Sequence, residues 1–140
     1  MATALDTNII IALWDDDPAS FVMAKSLLSR SKAQGRLVMA APVFAELMAA
    51  PARTEEFLRT FLADAGIAVE WHLEESIWLQ AGRAFQEHAH RRRKHRDPGP
   101  RRVLADFLIG AHALCNNHRL LTLDDRFYRK AFPKLTVVGS

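Results

Sequence analysis

The sequence predicts an α/β fold of three layers, with a central, mostly parallel sheet of four or five strands flanked by helices. Three observations carry this expectation. Short apolar strands alternate with helix-length segments from end to end, and that alternation produces a parallel sheet covered on both faces. The chain has 140 residues, 49% of them apolar and 25% charged, which fits one soluble domain with a real core. No internal repeat, low-complexity segment or linker divides it, so residues 1–140 are expected to form a single domain.

Taken in order, Thr3-Ala4-Leu5 is a strand that ends at Asp6. Thr7 and Asn8 are turn and capping residues, and Ile9 to Trp14 gives a turn or two of helix on the sheet. Asp6 stands at the carboxyl end of the first strand, the edge where open α/β sheets bind ligands. Position alone also fits a plain helix cap, and favours it. Asp15-Asp16-Asp17-Pro18 reads as a helix start rather than a metal site, with acids and proline where the helix dipole and backbone favour them. That helix runs from about Pro18 to Gln34, with Phe21, Ala24, Leu27, Leu28 and Ser31 at inward spacing, and Gly35 ends it.

Leu37 to Ala40 is the second strand. Pro42 opens a helix over Val43 to Ala50, where Glu46 is the lone acid, and Pro51 terminates it. Thr54-Glu55-Glu56 starts the next helix, with a stripe of Phe57, Leu58, Phe61 and Leu62 and a stop at Gly66. Ile67 to Trp71 is the third strand. Leu73 to about Arg93 is a long helix with Ile77, Ala81, Ala84, Phe85 and His88 facing inward. Asp97-Pro98-Gly99-Pro100 is a loop. Val103 to Cys115 is a helix that is apolar nearly all round, which argues for burial, and it carries Asp106 early in its course. Leu120 to Leu123 is a strand followed by Asp124-Asp125, Phe127 to Phe132 a short helix, and Leu135 to Val138 the final strand.

Net charge is +3 but uneven. Between His88 and Arg102 lie Arg91, Arg92, Arg93, Lys94, Arg96, Arg101 and Arg102 against one acid, Asp97, so this segment carries +6 and the rest −3. A concentrated basic patch on a mildly acidic body points to a polyanion such as RNA, or to a solvated helix end. One cysteine, no signal-like N-terminus and no apolar run near membrane length fit a reducing cytoplasm. Cys115 reads as a buried small hydrophobe, His112 as a packed histidine, and Trp14, Trp71 and Trp78 as core or interface residues.

Four separated acids stand out: Asp6, Glu46, Asp106 and Asp124. Each is flanked by apolar elements, and an α/β topology brings such positions to one sheet edge. Carboxylates gathered there need a counter-charge. A hard divalent cation, Mg²⁺ or Mn²⁺, supplies it through oxygen ligands, whereas one Cys and scattered histidines give no zinc spacing. Thr7, Asn8 and Thr122 are placed to orient the carboxylates. One ion, or two ~3.5–4 Å apart, would suit phosphodiester hydrolysis.

The constellation resembles a known family. Asp6-Thr7-Asn8 after the first strand, Glu46 within Val43-Phe44-Ala45-Glu46-Leu47, Asp106 within the segment Ala105 to Ala113, and Leu121-Thr122-Leu123-Asp124 match PIN-domain nucleases. The tail from Phe127 to Leu135 resembles the VapC-type ribonuclease toxins of type II toxin–antitoxin pairs. The resemblance covers essentially the whole chain and implies a single PIN-like domain. It implies Asp6, Glu46, Asp106 and Asp124 as catalytic, metal-binding residues. Asp124 is preferred over Asp125 because it stands two residues after Thr122. It further implies a Mg²⁺- or Mn²⁺-dependent endoribonuclease, a homodimer, and a cognate antitoxin that blocks the site. Competing readings are a catalytically silent PIN-like module that binds RNA or protein, and an unrelated α/β phosphohydrolase. The absence of a Gly-rich phosphate loop or an early Asp-x-Asp disfavours the last.

Overall fold

The computed structural model describes residues 1–95 and 102–139. The chain builds five strands and seven helices among these residues: β1 (Thr3–Leu5), α1 (Thr7–Leu13), α2 (Pro18–Gln34), β2 (Leu37–Ala40), α3 (Ala41–Met48), α4 (Glu55–Ala65), β3 (Ile67–Glu70), α5 (Glu75–His95), α6 (Leu104–Cys115), β4 (Arg119–Leu121), α7 (Asp125–Ala131) and β5 (Val137–Val138). The loop expected at Asp97 to Pro100 lies outside the described residues.

All pairings are parallel, in the order β3-β2-β1-β4-β5. The expected α/β fold is therefore the one observed, and the sheet is wholly parallel. The first three strands step outward from β1 in one direction, and β4 and β5 step outward in the other. With right-handed crossovers, that reversal puts the helices before and after it on opposite faces. The three central strands β2, β1 and β4 are short and almost completely buried, as parallel strands covered on both faces must be. The strand order reverses between β1 and β4. The crevice at their carboxyl ends is where doubly wound sheets hold ligands.

Local chemistry explains the element limits. The Asp17 side chain accepts from Ser20 N–H and caps α2, while Pro18 occupies the first helical position. Thr54 caps α4 by accepting from Phe57 N–H at 3.0 Å, and Gly66, at φ 72°, closes α4 in the left-handed conformation. Gly110 on α6 is required by packing: a Cβ there would meet the Phe132 ring at 2.3 Å. The C-terminal segment after α7 is pressed onto α6 at this point.

Several expected inward positions face outward. Phe21 and Phe57 are exposed; Trp71 and Trp78 are exposed too, which excludes the core, one of the two places expected for them, and leaves the interface untouched. Phe57 instead joins Trp14 and Phe61 in an aromatic cluster over which Arg53 lies, 4.6 Å from the Trp14 ring. Cys115 is exposed rather than buried, because it falls in the last turn of α6, past the face that packs on the sheet. No helix among the described residues is long and apolar enough to cross a membrane.

Candidate active site

Asp6 follows β1 directly and caps α1: its Oδ1 accepts from Thr7 N–H at 2.7 Å. Its Oδ2 accepts from the Thr122 hydroxyl, just past β4, at 2.8 Å. Cap and ligand-edge readings therefore describe one geometry, since the turn that starts α1 is the turn at the switch point. Asp6 is buried. Burial, reinforced by the charges of Asp106 and Glu46, pushes its pKa up to about 6, against the opposing pull of the Thr122 and Thr7 hydrogen bonds.

Three polar residues hold this edge together. Thr122 is fully buried and makes full use of its hydroxyl. It donates to Asp6 and accepts from Asp124 N–H at 2.9 Å and from Asn8 Nδ2 at 3.4 Å. Asn8 Oδ1 in turn accepts from Leu123 N–H at 3.1 Å. Thr7 donates its hydroxyl to Glu46 Oε1 at 2.6 Å and so fixes the acid that α3 contributes. Glu46 is half-buried on α3, two positions from the buried Phe44 and beside the buried Leu47.

Asp106 lies in the first turn of α6 and is half-buried. One partner comes from its own helix end: Val103 N–H donates to its Oδ2 at 3.3 Å, a side-chain cap on an otherwise uncapped helix. Burial raises its pKa. The Asp124 charge adds to the rise, while the Val103 hydrogen bond and the charges of Arg102 and His88 oppose it. Asp6 thus feels Glu46 and Asp106, and Asp106 feels Asp124, so the four acids are linked electrostatically, although no three of them bring ligand oxygens within 4.8 Å of one another.

The basic residues divide. Arg91, Arg92, Arg93 and Lys94 occupy the final turns of α5, with Arg91 loosely paired to Glu87 at 3.9 Å. The helix passes the acidic cluster at His88, whose ring lies 5.5 Å from Phe107 and 6.1 Å from Phe127. Arg96 and Arg101 lie outside the described residues. Arg102 is engaged inside the site: it donates to Asp124 Oδ2 at 2.5 Å and covers the Phe127 ring at 4.1 Å. Its expected place facing an incoming polyanion is thus modified, because Asp124 is its nearest anion.

Sequence reasoning missed Tyr128. Its side chain is buried, and its hydroxyl has no hydrogen-bond partner of good geometry among the described residues. Burial raises its pKa, and Asp6, Asp106 and Asp124 raise it further, which places the hydroxyl beside the acids. Only the fold reveals this, since a tyrosine in a short C-terminal helix carries no distinguishing spacing. Sequence reasoning also missed Glu70 and His118. His112, expected to be merely packed, has its Nε2 2.8 Å from Glu70 Oε1, and His118 Nε2 lies equally close to the same oxygen.

The donor set fits a hard divalent cation. Carboxylates from four elements stand around one sheet edge, and burial, with the charges of Asp106 and Glu46 adding to it, holds Asp6 above its ordinary pKa. Each Asp6 oxygen accepts a hydrogen bond within the protein, Oδ1 from Thr7 N–H and Oδ2 from the Thr122 hydroxyl.

Comparison with known proteins agrees with this geometry. The PIN domain family model matches residues 3–133. No curated protein matches the sequence. Among solved structures, the chain resembles VapBC-1 from nontypeable Haemophilus influenzae with a TM-score of 0.66 and 26% identity, over 99% of this chain and 98% of that one. It resembles VapBC2 from Rickettsia felis, solved with a promoter DNA fragment, with a TM-score of 0.65 and 21% identity over 99% and 98%. A toxin–antitoxin complex from Klebsiella pneumoniae gives 0.65 and 21% over 99% and 97%. A family match over nearly the whole chain and a carboxylate cluster at the switch point of a parallel sheet agree: the chain belongs to the PIN domain family.

Proposed function

We propose that this protein is the toxin of a type II toxin–antitoxin pair, a single PIN domain that hydrolyses RNA phosphodiester bonds with Mg²⁺ or Mn²⁺. The observation that carries the reading is the hydrogen-bond network at the sheet's switch point that ties Asp6 and Asp124 N–H to Thr122 and Glu46 to Thr7, with burial and the charges of Asp106 and Glu46 raising the Asp6 pKa to about 6. Membership of the PIN family and the likeness to VapBC structures support it.

Asp6, Glu46, Asp106 and Asp124 would hold the ion. When bound, it supplies positive charge and Lewis acidity to the phosphodiester under attack. The protein's own contribution is preorganisation. Thr122 and Thr7 fix both oxygens of Asp6, and Thr7 also fixes Glu46. Asn8 ties the β4 end to α1 and so keeps Asp124 in register with Asp6. Arg91, Arg92, Arg93 and Lys94 line the approach along α5 and attract the phosphates, and Arg102 exchanges Asp124 for a phosphate when substrate enters. Arg96 and Arg101 extend this basic run in sequence.

The chain works in the cytoplasm as a homodimer, paired with an antitoxin that covers the acidic crevice. Purified protein incubated with RNA tests the reading. Cleavage with Mg²⁺ or Mn²⁺ and none in EDTA is expected, and cleavage that is indifferent to EDTA overturns it. RNA retention without cleavage under any divalent ion would favour the silent module instead.

A further inference from the structure

Outside the acidic cluster, a second group of metal-ligating side chains converges on one point. Glu70 ends β3, His112 lies in the C-terminal half of α6, and His118 stands in the turn before β4. The Nε2 atoms of both histidines lie 2.8 Å from the same oxygen, Glu70 Oε1, and the three donor atoms all fall within 4.8 Å of one another. The imidazole rings are 5.4 Å apart and inclined at 55°, so they converge on the carboxylate from different directions. His112 and His118 are buried, whereas the Glu70 side chain is 34% exposed.

We propose that Glu70, His112 and His118 form a second metal site, one that takes a borderline divalent ion of the zinc class. The chemistry of the donors sets the class. Two imidazole nitrogens and one carboxylate oxygen make a ligand set that suits zinc, whereas the all-oxygen acidic cluster suits a harder ion. Ligand atoms around zinc stand roughly 3.3 Å apart when the bonds are about 2.0–2.1 Å. Opening the two 2.8 Å contacts to that spacing requires a small shift of the Glu70 carboxylate, the exposed and movable member.

Access and a fourth position come from the same geometry. Glu70 and His112 line a cavity of about 250 Å³, whose other walls include His72 and Glu74. A catalytic-type site with three protein ligands keeps one such open position. The ion would tie the end of β3 to α6 and to the turn that leads into β4. It would therefore brace the element that carries Asp106 and the strand that leads to Thr122, without sharing a residue with the acidic cluster. Spacing hides the site in the sequence, because Glu70 lies 42 residues before His112 and 48 before His118. The proposal stands whether or not the acidic cluster cuts RNA.

The test uses the untagged full chain with zinc chloride, read by calorimetric titration and thermal unfolding, and with Co²⁺ read by visible absorption. Wild-type protein is expected to bind one zinc per chain in this site, to unfold at a higher temperature with it, and to give a Co²⁺ spectrum of a low-coordinate nitrogen–oxygen site. Asp6→Asn, which disables the acidic cluster, is expected to leave that binding unchanged. Glu70→Gln and His118→Gln are each expected to weaken it by at least about tenfold, since even outer-shell losses cost that much. Zinc affinity unchanged from wild type in Glu70→Gln and His118→Gln, as binding at exposed His90 and His95 would give, overturns the proposal. So does loss of zinc binding in Asp6→Asn. X-ray absorption of the wild-type zinc complex provides a check independent of any variant's folding, and a zinc shell without imidazole contradicts the site.

Discussion

The Thr122 hydroxyl donates to Asp6 Oδ2 at 2.8 Å, joining the ends of β4 and β1 across 116 residues of chain. The Thr122 hydroxyl oxygen also accepts from Asp124 N–H, so one buried group ties together the segments that carry two of the four acids. Thr122→Val keeps the shape and removes both functions. It leaves Asp124 N–H and Asp6 Oδ2 without partners, at a cost of about 1–3 kcal/mol. Urea denaturation is expected to show that loss, and Thr122→Ser is expected to recover most of it. An unchanged midpoint for Thr122→Val would mean that the hydroxyl organises nothing.

Asp6 supplies a pH dependence whose sign is opposite to the usual carboxylate. Its folded pKa is about 6, against an ordinary value of 3.8, so the metal-free folded state binds a proton more tightly than the unfolded chain does. Its contribution to stability is therefore fully present below about pH 4 and is lost as the pH rises through 6, by up to roughly 3 kcal/mol. Compared in EDTA, the stability difference between wild type and Asp6→Asn is expected to grow in favour of Asp6→Asn between pH 4 and pH 7. Saturating Mg²⁺ is expected to reverse the trend for wild type alone, because the cation replaces the proton. A flat difference across that window contradicts the assignment of Asp6 as an acid in want of a counter-charge.

Much of this arrangement was legible in the sequence, and the reason is topological. Asp6 and Asp124 each follow an apolar strand, so alternation of strands and helices alone brings them to one edge. The limits of α2 and β2 coincide with the expected ones because caps and breakers stand at their ends. The outward turn of Phe21 and Phe57 was not legible, because helical spacing marks a stripe without fixing which side of it the sheet covers. Nor were Tyr128, the Arg102–Asp124 pair or the Glu70–His112–His118 convergence, since each joins residues that only the folded chain makes neighbours.

Gly110 makes a prediction about packing rather than chemistry. A methyl group there meets the Phe132 ring, which is itself buried and cannot swing into solvent. Gly110→Ala is expected to destabilise the fold by about 1–3 kcal/mol despite alanine's higher helix propensity. Adding Phe132→Leu is expected to restore part of the loss, since it opens space at the clash. A stabilised Gly110→Ala variant would show that the C-terminal segment does not seat on α6 as described.

Arg102 competes for Asp124 with any cation the cluster binds. Removing its charge in Arg102→Gln is expected to tighten Mg²⁺ binding by about three- to tenfold, a change of roughly 1 kcal/mol. The same variant is expected to weaken RNA binding and to lower its salt dependence. Isothermal titration with Mg²⁺ and filter binding with RNA separate the two effects. Weaker Mg²⁺ binding in Arg102→Gln would show that the arginine supports the cluster rather than competing with it.

The central claim is that Asp6 and Asp106 act together through a divalent ion on RNA. The most direct measurement is single-turnover RNA cleavage by wild type, Asp6→Asn and Asp106→Asn across a Mg²⁺ titration, with each variant's fold checked by circular dichroism. Wild type is expected to cleave in proportion to ion occupancy, and both folded variants are expected to lose cleavage and high-affinity Mg²⁺ binding. Cleavage at the wild-type rate by either folded variant would contradict the account.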